Sequence, residues 1–499
     1  MHRQSTRGMI IALALALVAP TAASAAPNNN NSAKLTSAVT VAGIREHLNA
    51  LQAISDANGD NRFAGFPGHD ASAQYVYDRA RAAGYDVRFQ EFEYDAAEDL
   101  SVLTKLSPPP ARSYLRFLDF LGAFTGGRGD VTAPLAAVDL DIPADGGSTS
   151  GCEPGDFAGF APGSIALLQR GTCNFTVKVA NAEAARAAGA VIFNEGNAPD
   201  RVGLVNPNVT GATIPVVGAT FAAGDELRNG VTNGPTATTV RVKVDFFIDT
   251  LTTRNVIAES ERGSSDNVVV VGAHLDSVID APGINDNGSG SATILEIAEQ
   301  MTKVKPRNQV RFVWFSAEES GLLGAQHYVT TLPPGEQERI ALMLNFDMVG
   351  SPNFARFVYD GSNPAAPAGS GAIEDTFNGW FAERGLAFEP TPFDGRSDYG
   401  PFIAAGIPAG GLFTGAEQFK SIAQVGLYGG TAGVAFDPCY HSPCDDVDNV
   451  NDTALDQMSD AAAHAVITYA QNTVTVNGVR GKGNFKPRPR HDAGPPALG

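Results

Sequence analysis

The sequence predicts an α/β protein with a mixed, mainly parallel central sheet flanked by helices and interrupted by a β-rich insertion. Three observations carry that reading. The apolar runs 268–273, 310–315 and 342–346 alternate with helical segments, and near-continuous apolar strands imply burial on both faces. The stretch 129–246 instead holds short β-rich runs separated by Gly/Pro/Asn turns. Finally, Leu455, Met458, Ala462, Ala465 and Tyr469 share one face of a helical segment over 452–470, which suits it to pack on a sheet.

The elements follow in order. His2, Arg3 and Arg7 precede an apolar run over 9–19 and the small-residue triplet Ala23-Ser24-Ala25, so residues 1–25 read as a secretory signal peptide cleaved after Ala25. A bilayer span needs about 20 apolar residues, and neither this run nor any later one reaches that without charges, Gly or Pro. A secreted, extracellular protein without a membrane anchor is expected. Residues 26–34 are Asn-rich and too poor in apolar side chains to pack, and are expected to be a disordered leader. Val41, Ile44, Leu48 and Leu51 give helical spacing over 41–53; a second helix is expected over 71–83 and a strand over 85–92. In the middle come the runs 164–168, 190–193 and 240–246 with an Ala-rich helix over 177–188. The expected organisation is one α/β domain from 35–128 and 247–475, an inserted domain over 129–246, and a disordered tail over 476–499, rich in Gly, Pro, Lys and Arg.

The net charge of −19 becomes more negative once 1–25 is removed, because only Arg3 and Arg7 leave. Such a surface excludes nucleic acid or anionic membrane as the expected partner, since both demand clustered Lys and Arg. The four cysteines fall into two local pairs, Cys152/Cys173 and Cys439/Cys444, which in an exported chain read as disulfides. No feature calls for an oligomer, and a monomer is expected.

The chemistry-bearing residues stand at the strand ends, where open α/β sheets hold ligands. The run 268–273 leads into His274-Leu275-Asp276 and then 283–290, which contains Asp286. The run 310–315 leads into Glu318-Glu319, the run 342–346 into Asp347, and a later loop presents Tyr440-His441 between Cys439 and Cys444. Two His and several carboxylates suit a pair of Zn²⁺ ions, which accept imidazole nitrogen and carboxylate oxygen alike. Each piece alone has a blander reading, as a loop histidine or a solvated acidic helix start. Their recurrence at consecutive strand ends is what points to metal. His47, His327 and His464 lie in helical patterns without an acidic cluster of this kind and are expected to be structural.

In the segments 272–277, 283–290, 317–319, 345–348, 395–398 and 439–441, and over 61–76, the sequence resembles the co-catalytic dizinc aminopeptidases, the secreted bacterial leucyl-type family with a zinc exopeptidase fold. The middle resembles a protease-associated domain with Cys152 and Cys173 as its disulfide. The resemblance implies two Zn²⁺ per chain, ligated by His274, Asp286, Glu319, Asp347 and His441, with Asp286 bridging. It implies a metal-bridging water as nucleophile, Glu318 as general base, Asp276 orienting the ligand imidazole, and Tyr440 donating to the developing oxyanion.

The resemblance further implies peptide substrates with a free N-terminus, whose α-amino group is held by acidic groups and by backbone at Arg396. Met348 and Phe413 resemble the wall of a side-chain pocket for Leu, Met or Phe. Asp456 and Asp460 resemble two ligands of the family's calcium site, but 33–44 has no acidic residue to supply the third, a departure that puts Ca²⁺ in doubt. Two other readings stay open. One is a related dizinc carboxypeptidase or deacylase, which needs a basic pocket that Met348 and Phe413 do not supply. The other is a non-catalytic ectodomain, which would have lost the metals.

Overall fold

The computed structural model describes residues 29–142 and 146–478. The expected export segment 1–25 and tail residues 479–499 lie outside the described residues. Helix Val41–Ala57 starts where the Thr40 side chain accepts from the Gly43 amide, and it buries Ile44, Leu48 and Leu51. Helix Pro67–Ala82 begins earlier than expected because Pro67 fits its first turn, where a missing N–H costs nothing. The leader is a correction from Asn29 onward. The Asn29 amide donates to Lys303 O (3.1 Å) and its Nδ2 to Gln300 O (2.8 Å), while the Asn31 side chain caps helix Ser32–Thr36. Amide hydrogen bonds and the fully buried Leu35 anchor a tract that composition alone marked as unable to pack.

One eight-stranded sheet runs in the order Asp86–Asp99, Phe246–Glu259, Asn308–Phe315, Ser264–His274, Ile340–Phe346, Ala409–Phe413, Phe357–Tyr359, Glu389–Thr391. The four strands from Asn308–Phe315 to Ala409–Phe413 pair in parallel and the rest are mixed, as predicted. Alternate residues serve the two faces. Val269, Val271, Phe312, Trp314, Leu342 and Leu344 pack against helices that include Val41–Ala57, Gly290–Met301 and Asp452–Gln471. Val268, Val270, Val313, Phe315 and Met343 pack on the other side with Tyr328 and Phe402. With both faces covered, a strand has no polar positions to spare, which explains the unbroken apolar runs.

The second eight-stranded sheet runs Arg112–Ser113, Val102–Ser107, Gly234–Val244, Gly129–Ala137, Ile165–Gln169, Gly189–Phe193, Val216–Ala219, Phe120–Gly122. It corrects the expected domain break at 128/129. Strand Val102–Ser107 pairs with Gly234–Val244, and Leu103 is buried in this sheet's own core, so the unit begins near residue 100. The break was misplaced because the run 102–107 reads as a strand of either sheet. The unit hangs on a two-stranded ribbon: Asp86–Asp99 pairs antiparallel with Phe246–Glu259 as far as Asp99↔Phe246, and the Leu100 amide then donates to Asp245 O (2.9 Å). The Cys152–Cys173 disulfide lies within the unit. Among the described residues, no helix is long and apolar enough to cross a membrane.

Candidate metal centre

Parallel strands put their carboxyl ends on one edge, and the candidate residues gather there. His274 ends its strand, Glu318 and Glu319 follow Asn308–Phe315, and Asp347 follows Ile340–Phe346. Ala317 (φ 53°) and Met348 (φ 51°) turn the chain through the left-handed region, rare for residues with a Cβ and common at functional sites. Asp286 arrives from the loop before helix Gly290–Met301, and His441 from the loop closed by the Cys439–Cys444 disulfide.

The side chains converge around Asp286. His274 Nε2 lies 3.3 Å from Asp286 Oδ1 and 3.3 Å from Asp347 Oδ1, with Glu318 Oε2 at 3.9 Å. His441 Nε2 lies 3.2 Å from the other oxygen, Asp286 Oδ2, and 3.0 Å from Glu319 Oε2. Asp286 thus offers one oxygen to each imidazole. His274 with Asp286 and Glu319, and His274 with Glu318 and Asp347, bring ligand-type atoms within 4.8 Å of one another. His274 Nε2, His441 Nε2, Glu319 Oε1 and Asp347 Oδ1 are buried and have no hydrogen-bond partner. Orphaned buried atoms are costly and rare, and here they face a common centre, as a cation site requires.

The charges agree. Burial alone would depress both imidazoles, but the surrounding carboxylates outweigh it: Glu318 and Asp347 hold His274 well above its ordinary pKa, and Glu319 and Asp286 raise His441 to about 10. Burial, followed by repulsion from Asp347 and Asp398, pushes Glu318 well above the usual carboxylate range, while Glu319 rises to about 7 chiefly through burial. Such a surplus of buried carboxylates is what dications would neutralise.

A supporting layer holds these groups. The fully buried Asp276 was expected to orient the imidazole. Its carboxylate accepts the Glu318 and Glu319 amides (both 3.3 Å) and stands 3.7 Å from His274 Nδ1, which also contacts the Asp276 backbone oxygen at 3.2 Å. The carboxylate thus touches both the Glu pair and the imidazole. Ser397 Oγ donates to Asp347 Oδ2 (2.6 Å), and Asn345 Nδ2 donates to Ser397 Oγ (2.7 Å). Three contributors escaped sequence reasoning. Asp445 accepts the Asp286 amide (3.0 Å) and the Asn285 amide (2.8 Å), tying the Asp286 loop to the His441 loop. Arg62 is fully buried and donates to Leu275 O, Pro282 O and Gly283 O, clamping the loops after His274 and before Asp286. Asp398 is fully buried, and neither of its oxygens has a partner. Arg62 and Asp398 stand within recognised motif segments, which was the one available signal.

Beside the cluster opens a cleft lined by Met348, Tyr359, Pro392, Arg396, Phe413, Gln418 and Tyr440. The Tyr440 ring stacks on His441, centroids 3.8 Å apart at 21°. Arg396, the arginine of this lining, is paired with Glu417 (2.8 Å) and donates to Tyr440 Oη (3.2 Å). His327 stacks on Phe92, and His464 stacks on Trp380 and contacts Ser32 Oγ. His47 packs between helices. Helix packing brings it to Glu296 and Glu299, an acidic neighbourhood invisible along the chain; Arg79 pairs with Glu299 at 2.7 Å, and burial lowers the His47 pKa to about 4.

A model of peptidase family M28 matches residues 255–466, and a PA domain model matches 131–227. An aminopeptidase of Pseudomonas aeruginosa is 47% identical over 442 residues, covering 87% of this chain and 81% of that protein. Leucine aminopeptidase 2 of Trichophyton rubrum is 39% identical over 431 residues, covering 85% and 82%. Among solved structures, an aminopeptidase from Aneurinibacillus sp. strain AM-1 has a TM-score of 0.54 at 27% identity, covering 87% of this chain and 95% of that one. A zinc aminopeptidase from Bacillus subtilis has a TM-score of 0.53 at 27% identity, covering 86% and 94%. With its strand-end cluster and its ribbon-borne second sheet, this chain belongs to peptidase family M28, as an aminopeptidase that carries a PA domain.

Proposed function

We propose that the protein is a secreted, two-zinc aminopeptidase that removes large apolar residues from the N-termini of peptides. The observation that carries this reading is Asp286, whose two oxygens face two imidazoles with buried, unpartnered Nε2 atoms. His274 and Asp347 would hold one ion, Glu319 and His441 the other, and Asp286 both; this donor set of nitrogen and carboxylate oxygen suits zinc. Zinc bound there supplies Lewis acidity toward a peptide carbonyl and lowers the pKa of water. A zinc aminopeptidase among the structural relatives agrees with it. Secretion rests on the signal-like residues 1–25.

The chain's own residues do the rest. Glu318, buried and of raised proton affinity, stands beside the cluster to take a proton from the attacking water and return it to the leaving amine. Asp276 keeps that carboxylate in place through the Glu318 amide. Tyr440, braced on His441, donates to the oxyanion as charge develops. Acidic groups of the cluster and the backbone at Arg396 hold the free α-amino group. Met348, Tyr359 and Phe413 give the cleft an apolar wall for Leu, Met or Phe. The Arg396 side chain is already paired with Glu417, which leaves no free cation of this lining for a C-terminal carboxylate. Metal analysis of protein from the culture medium, with a panel of amino-acid p-nitroanilides assayed with and without chelator, tests the reading. About two zinc per chain and chelator-sensitive cleavage of the Leu, Met and Phe substrates are expected. Folded, metal-free protein with undiminished turnover would sink it.

A further inference from the structure

The Tyr440 hydroxyl has one proton to give and lone pairs to accept with, so its usefulness as a donor depends on which way the proton points. Its recorded side-chain hydrogen bond is with Arg396 Nη2 at 3.2 Å, while Arg396 Nη1 donates to Glu417 Oε1 at 2.8 Å. A guanidinium carries only donors. The direction of the Arg396 contact is therefore fixed without seeing a hydrogen: the tyrosine oxygen accepts. A phenolic O–H prefers the ring plane, where it has two orientations, and a donor beside the oxygen disfavours the one aimed at it. The ring itself is braced against His441, at 21° between planes, on a loop closed by Cys439–Cys444. What remains free is the O–H orientation pointing away from Arg396.

We propose that Glu417 and the guanidinium of Arg396 are positioning residues that commit the Tyr440 proton to the reacting carbonyl oxygen. This rests on Tyr440 being the oxyanion donor. Arg396 is half-exposed, and a long side chain in that setting samples many rotamers unless anchored. Glu417 supplies the anchor: its side chain is 18% exposed, it lies between the cleft residues Ala416 and Gln418, its Oε1 accepts from Arg396, and its Oε2 is buried without a hydrogen-bond partner. A carboxylate with one oxygen left unpaired is expensive to keep, and Arg396 is the charge in contact that offsets it. A surface ion pair of no consequence would be more exposed on both sides and would not touch a third group.

The test is a double-mutant cycle on the zinc-loaded enzyme with leucine p-nitroanilide, zinc content being measured for every variant. Arg396→Met is expected to lower kcat by about 10-fold with KM changed less than about 3-fold, since the donor acts on charge that appears only in the transition state. Glu417→Gln, which keeps an acceptor oxygen, should show a smaller loss of the same kind. In the Tyr440→Phe background neither substitution should cost anything further, because the proton they direct is gone. Arg396→Leu carries the same cycle should the Met variant fail to fold. Equal costs in both backgrounds would overturn the proposal, as would loss of zinc in Arg396→Met. A Tyr440→Phe enzyme with wild-type kcat would instead remove the oxyanion reading beneath it.

Discussion

Four parallel strands form the middle of each sheet, yet the residues at their carboxyl ends meet different fates. In the PA-type sheet, Gln169 ends its strand fully buried and fully satisfied. Its Nε2 donates to Asp141 O (2.8 Å) and Glu195 O (3.1 Å), and its Oε1 accepts from the Asp141 amide (2.8 Å). In the catalytic sheet, the same topological position holds His274 and Asp347, each with an orphaned buried atom. Between residues 102 and 244, the described unpartnered side-chain atoms are Tyr114 Oη and Arg116 Nε; around the cluster they include His274, His441, Glu319, Asp347 and both oxygens of Asp398. One architecture closes its polar accounts internally and the other leaves them open for a guest. Function follows the strand-end chemistry, and the layout of strands by itself does not decide it.

Three experiments would break or sharpen that contrast. The largest effect is expected from Glu318→Gln, with kcat falling about 10²–10⁴-fold at unchanged zinc content, because the substitution removes the proton carrier and leaves the other cluster residues intact. Loss of zinc from this variant would turn Glu318 into a ligand. Next comes the pH dependence of zinc affinity. In the metal-free site His441, at about 10, and His274, raised well above its ordinary value, both carry protons at neutral pH. Zinc requires the neutral imidazoles, so binding releases protons and affinity must rise with pH, about 10-fold per unit for each proton released, up to about pH 10 for His441. Competition titrations over several pH values, repeated in buffers of different ionisation heat, would count those protons; a flat profile would refute the charge state. The smallest effect on turnover is expected in the self-satisfied unit. Replacing Cys152 and Cys173 with Ser should cost about 2–4 kcal/mol of that unit's stability, read by urea denaturation. Cleavage of a single-residue substrate should change less than about 2-fold, since the disulfide lies within the second sheet and touches no residue of the cleft. A large loss of turnover would mean that the two sheets are coupled.

How much could be read in advance follows from where partners lie along the chain. The strand-end residues were legible because a buried parallel strand announces itself as an apolar run and the next polar residues must stand at its end. Cys439 and Cys444 were legible because they are close neighbours in a sequence that opens like an export signal. Arg62 was not, since its acceptors are backbone carbonyls, one of them 213 residues away, and a carbonyl leaves no trace in the alphabet of side chains. Asp276 was placed beside His274, but its contacts with the Glu318 and Glu319 amides were not foreseen, because amides that need a carboxylate are equally silent. The acidic neighbours of His47 and the Asn29 anchor were hidden for a related reason: their partners are side chains and carbonyls brought together by helix packing.

The ribbon that ends at Asp99↔Phe246 also dictates a schedule. Its strands are separated by the whole second sheet, so pairing them in an unfolded chain would mean closing a very long loop at full entropic expense. Once that sheet has folded and set residue 100 beside residue 245, the remaining closure is short and the ribbon can zip. The expected order of assembly is therefore from the second sheet outward, which pulse-labelled hydrogen exchange would register as early protection over 102–244 and refute if the ribbon were protected first. Helices Val41–Ala57 and Pro67–Ala82 leave the ribosome first but must wait for Gly290–Met301, emerging more than two hundred residues later at about 5–20 residues per second, before Ile44, Leu48 and Val76 find cover. For those seconds of synthesis the nascent chain carries an uncovered apolar face, and the holding of that face falls to whatever accompanies the chain.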